Sequence, residues 1–137
     1  MTSPVVPPPA ADFDDDTPPP WLPPGTVRGA RVIAGVSAAV GVVLIAITLA
    51  LGTGDSLVPL LAGYLPTFAL VPLILLFGRG GDRVRQAAVG VAALGALVSC
   101  TGILTGLPPG AVGIVADGAI AALLLRPSAR AWFTRQR

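Results

Sequence analysis

Residues 87–107 read AAVGVAALGALVSCTGILTGL, and none of these positions carries a charge. A helix of about 20 residues rises roughly 30 Å, the thickness of a bilayer's hydrocarbon core, so the stretch is long and apolar enough to cross one. Its pattern is as informative as its length. Ala88, Ala92, Gly95, Ser99, Gly102 and Gly106 recur at spacings of three and four, which puts all six on one helical face. Helices in lipid gain little by burying apolar surface against one another and associate through close approach of their backbones, so another helix is expected to press on this stripe. Ser37 with Gly41, and Gly110, Gly113, Asp117 and Ala121, form shorter small-residue faces elsewhere.

Three more apolar runs flank this one, at residues 32–51, 57–77 and 110–125. The first two are uncharged; the last is the shortest and contains Asp117. The breaks between runs are GTGDS at 52–56, the arginine-rich loop GRGGDRVRQ at 78–86, and PPG at 108–110. Pro59, Pro66 and Pro72 fall inside the second run and are expected to bend that helix or break it locally, which membranes tolerate when neighbours satisfy the freed carbonyls. The chain therefore reads as all-α: a four-transmembrane-helix bundle over residues 28–137, packed most tightly around its third and fourth helices. A disordered proline-rich tail over residues 1–27 precedes it.

Composition points to the same solvent. Of 137 residues, 53% are hydrophobic and 12% charged, and mean hydropathy is +0.80, whereas soluble domains average about 25% charged residues. A soluble domain of this size could not hide so much apolar surface behind so few charges. There is no Lys, Glu or His, so every base is Arg and every acid Asp. Cys100 is the single cysteine, which excludes an internal disulfide and leaves zinc or haem without a ligand set; no metal or cofactor is expected. Cys100 reads as a small apolar filler. No nucleophile–base pair is visible, so an enzyme is not expected, and Gly78, Gly80 and Gly81 lack the Gly-Lys-Ser/Thr of a phosphate-binding loop. The net charge of +2 comes from arginines that flank apolar runs rather than forming a basic stripe. It points to lipid headgroups as the partner, not nucleic acid.

The opening segment MTSPVVPPPAADFDDDTPPPWLPPGT holds nine of the 15 prolines and four of the seven aspartates. Proline removes amide donors and favours polyproline II, and with no periodic apolar pattern such a tail cannot offset its ordering entropy. It is expected to act as a solvated tether, with a proline-recognising partner as the sharper alternative. Trp21 is expected at the membrane interface. The first apolar run is too long for a signal peptide's core, sits behind an acidic rather than a basic start, and is followed by three runs like it, so an anchor is expected.

Arginine placement orients the bundle. Arg28 and Arg31 precede the first run, Arg79, Arg83 and Arg85 lie between the second and third, and Arg126, Arg130, Arg135 and Arg137 follow the fourth. The two other connections have no positive charge, so the positive-inside rule puts both termini in the cytoplasm. The arginines at 79, 83 and 85 read as a solvated, topology-setting loop.

The stretch LLLRPSARAWF at 123–133 suggests a short membrane-surface foot: Pro127 in its first turn, Arg130 on lipid phosphates, and Trp132 and Phe133 at the interface. This ending and the four-run layout resemble small four-helix integral-membrane proteins of actinobacteria. The resemblance implies a bacterial plasma membrane and assigns no activity.

Asp117 is the one ionisable residue well inside an apolar run, and a carboxylate at mid-membrane costs roughly 2.5–3.5 kcal/mol on insertion scales. Counted inward from the outer ends, it lies about 12 Å deep at helical rise. Tyr64, Thr67 and Ser99 come out at comparable depth, so a polar cluster of Tyr64, Thr67, Ser99 and Asp117 is expected, with the aspartate neutral and donating a hydrogen bond. Three roles compete. The leading one is a non-enzymatic accessory or scaffold protein that associates with itself or with a larger membrane complex, broken by Gly102→Leu. The alternative is a small proton-linked transporter or channel subunit that uses Asp117. A phage-type holin is the third.

Overall fold

The computed structural model describes residues 22–79, 81–106 and 108–135. Most of the N-terminal tail, including Trp21, lies outside these residues. Five α-helices follow in order: α1 (Gly25–Ala50), α2 (Leu57–Leu75), α3 (Gly81–Thr105), α4 (Gly110–Leu125) and α5 (Pro127–Thr134). Short 3-10 turns at Gly54–Ser56 and Leu76–Gly78 complete the connections, and there is no strand among the described residues.

The helices are longer than the apolar runs. α1 and α3 each begin nearly two turns before the uncharged sequence does. Residues 25–27, read as tail, are therefore helical, and Val27 is fully buried. The arginine-rich connection is likewise no solvated loop beyond Arg79: Asp82, Arg83, Arg85 and Gln86 form the first turns of α3. An apolar run marks the part of a helix that sits in lipid, whereas backbone hydrogen bonding continues as far as capping allows. Here Arg85 Nε donates to the Asp82 carboxylate at 2.7 Å and Gln86 Nε2 at 2.8 Å. The pairs at i+3 and i+4 share one face, and the acid sits in the first turn, where free N–H groups favour negative charge. α2 remains one helix through Pro66 and Pro72. Pro59 falls in its first turn, where a missing N–H leaves no bond unmade.

Short connections make sequence neighbours pack antiparallel, and α4 closes the ring against α1. The α3–α4 seam is the most extensive pairing. Its register is set where Gly95 meets Asp117 and Ser99 meets Gly113. Continued toward the start of α3, this register sets Ala92 opposite Ile120 and Ala88 opposite Leu124, all four buried. Small residues of α3 thus receive larger ones of α4.

Three helical spans are long and apolar enough to cross a membrane. α4 alone has 16 residues and rises about 24 Å, so a fourth crossing counts only if α4 and α5, bent by 61°, are taken together. The outer surface is apolar at Val32, Leu65, Leu97, Leu104 and Val112, among others. At the arginine end, α5 folds across the bundle, and Phe133 stacks edge-on against Phe77 at 5.2 Å between centroids.

Candidate functional site

Asp117 lies on the α3–α4 seam and is 2% exposed. It fits because residue 95 is glycine: a Cβ there would stand 2.9 Å from the Asp117 Cγ and 3.3 Å from the Pro66 Cβ. One turn away the roles exchange, with Ser99 on α3 and glycine at 113 on α4. A Cβ on Gly113 would collide with the Ser99 Oγ and lie 2.7 Å from the Pro109 Cγ. Ser99 is fully buried, and among the described residues its hydroxyl has no hydrogen-bond partner.

A cavity of about 110 Å³ opens beside the carboxyl, its polar lining Ser37, Tyr64, Thr67 and Asp117. Tyr64 and Thr67 are buried. The tyrosine ring is held against α1 at Gly41, where a Cβ would meet Tyr64 Cδ1 at 2.7 Å, and it lies beside Phe68. Val36 and Val40 of α1 and Val112 of α4 complete the mouth, and all three are exposed on the outer surface. The cavity therefore has a polar floor and an apolar rim.

Of the four residues expected to cluster, Tyr64, Thr67 and Asp117 border this cavity, while Ser99 sits a turn away in the seam. Among the described residues no hydrogen bond joins the four directly. Nor does any arginine line the cavity, so the carboxyl has no cationic partner there. Ser37 is the member sequence reasoning missed. A serine in a helix rich in glycine and alanine looks like a packing residue, and only the position of α1 turns it toward the site.

The remaining expected residues divide. Ala92, Gly95, Gly102 and Gly113 are buried along the bundle's inner faces. Gly106 is not: it is exposed, has φ +71°, and follows the last residue of α3. Its lack of a side chain serves the left-handed turn that ends the helix rather than a helix contact. At the foot, Arg130 is exposed and Trp132 half-buried. Phe133, expected at the interface, is instead fully buried, because α5 turns the face that carries it and Ala129 onto Phe77.

A second polar site lies at the arginine end. Arg85 is buried, and besides its ion pair with Asp82 its Nη1 donates to the Leu124 carbonyl at 3.3 Å. A cation there satisfies one of the free carbonyls at the end of α4. The Arg85 hydrogen bond holds the Asp82 carboxyl below the usual carboxylate range. Arg31 lies over the Phe77 ring at 5.7 Å, a distance at which a cation is attracted to the π-face.

Comparison with protein-family models, curated proteins and solved structures finds no match to this chain.

Proposed function

We propose that this chain is a four-span membrane protein that binds and releases a proton or small cation at Asp117, as a carrier or channel subunit. The observation that carries the reading is a buried carboxyl bordering a cavity with three hydroxyl-bearing side chains, Ser37, Tyr64 and Thr67, and no cationic partner among the described residues. Ionisable groups inside membrane segments are costly, and where they occur they mark ion and proton pathways. Both termini lie on the cytoplasmic side of a bacterial plasma membrane in this reading. Its support is the gathering of all eight described arginines at one end of the bundle, together with the resemblance of the C-terminal ending.

A scaffold role is the second reading. Ala88, Ala92, Gly95 and Ser99 of the α3 stripe that first suggested it are buried on the seam with α4 within one chain and are not free for a partner. What favours a scaffold is α1, whose outward face is exposed from Val32 to Leu51.

Proton flux into liposomes containing wild type or Asp117→Asn, under an imposed potential and pH gradient, tests the first reading. Flux in wild type that is lost in the variant is the expected outcome. Equal flux in both, or none in either with both correctly inserted, rejects it.

A further inference from the structure

The cavity beside Asp117 opens sideways. Its floor is formed by buried groups on α2 and α4, whereas Val36, Val40 and Val112 at its rim are all exposed on the surface that faces lipid. α1 and α4 touch closely toward the arginine end, where a Cβ on Gly29 would lie 3.3 Å from Leu123 Cδ1. Beyond that point an open groove of about 460 Å³ runs along the outer face of α4 at Ala111, Val112, Val115, Ala116 and Ala119, with Ile33 of α1 on its other side. Val112 and Ala116 line both spaces, so groove and cavity adjoin. One space has a carboxyl and hydroxyls; the other is wholly aliphatic.

The dimensions restrict what fits. A drug-sized ligand needs roughly 300–1,000 Å³, so the cavity of about 110 Å³ takes a headgroup but not a whole ligand. The Asp117 carboxylate and the hydroxyl oxygens of Ser37, Tyr64 and Thr67 are acceptors for a primary ammonium, which carries three N–H donors. An aliphatic groove accepts a hydrocarbon chain and offers nothing to a polar one.

We propose that this site takes a primary alkylamine from the bilayer, its ammonium in the cavity beside Asp117 and its chain in the groove between α1 and α4. The proposal rests on the reading of Asp117 as a cation site and names the class of cation. It also fixes the route of entry, because a ligand dissolved in lipid meets the rim without leaving the membrane.

The test is equilibrium binding of radiolabelled dodecylamine to the full chain in phosphatidylcholine nanodiscs, with butylamine as the counterpart that partitions poorly into lipid. Saturable dodecylamine binding is expected, weakened about tenfold in Asp117→Asn by loss of a charge-assisted contact. It is also expected to weaken in Ala119→Trp, which fills the groove away from the carboxyl. Circular dichroism and size exclusion establish that each variant is folded. Equal binding by wild type and Asp117→Asn would mean simple partition into lipid and overturn the proposal. Equal affinity for butylamine would place the entrance in water and overturn lateral entry. No dodecylamine binding, with proton flux still dependent on Asp117, overturns this inference and leaves the carrier reading standing. Asp117-dependent binding without flux does the reverse.

Discussion

Glycine at 95 and at 113 makes room for specific atoms of the facing helix, which distinguishes both positions from Gly118, where an added Cβ meets nothing within 4 Å. Gly95→Ala and Gly113→Ala are expected to destabilise the bundle by about 1–3 kcal/mol, the usual cost of overpacking a close contact. Gly118→Ala is expected to be neutral or slightly stabilising, since alanine restricts the unfolded chain. Thermal unfolding in detergent compares the three. Asp117 was legible in the sequence because a lone charge in an apolar run stands out, and Tyr64 and Thr67 because depth can be counted along a helix. Ser99 was legible as part of the α3 packing stripe, but that it meets Gly113 and does not border the cavity was not. Depth along the membrane fixes one coordinate, and rotation about each helix axis fixes the other.

Helix ends, rather than helix centres, are where the elements departed from expectation. Charge density drew the sequence boundary at the edge of each apolar run, but backbone hydrogen bonding carries α1 and α3 nearly two turns further, and Arg85 becomes part of the bundle. Arg85→Gln is expected to destabilise the protein by about 1 kcal/mol through loss of the bond to the Leu124 carbonyl. Arg85→Lys should recover only part, because an ammonium cannot reproduce the guanidinium fork. The Asp82 carboxyl is held below its ordinary range by Arg85 when folded. Its contribution to stability is therefore full above the unfolded value and lost as pH falls through the folded one. Wild type should lose melting temperature below about pH 4, more than Asp82→Asn does, which a pH series of melts on both proteins checks.

At the scale of the whole molecule, the arginine end is closed and the opposite end is held by tight turns. α5 closes the former by burying Phe133 against Phe77 and Trp132. Phe133→Ala is expected to cost about 3 kcal/mol and to free α5, read as earlier proteolysis after Arg130. A C-terminal fluorescent-protein fusion should fluoresce, and a periplasmic phosphatase fused at the same place should be inactive; the opposite pattern would invert the topology.

The sequence by itself determined the class of molecule. Apolar runs of bilayer length, charges confined to the segments outside them except at Asp117, and a stripe of small residues on the third run follow from composition and spacing, because lipid constrains length and polarity residue by residue. Only the tertiary structure decided which faces meet. Most of the α3 stripe packs on α4 within one chain, Ser37 joins the carboxyl pocket, and Phe133 turns inward. Each depends on the relative rotation and register of helices. Those are set by the sum of many small contacts between distant segments, and no local pattern records that sum.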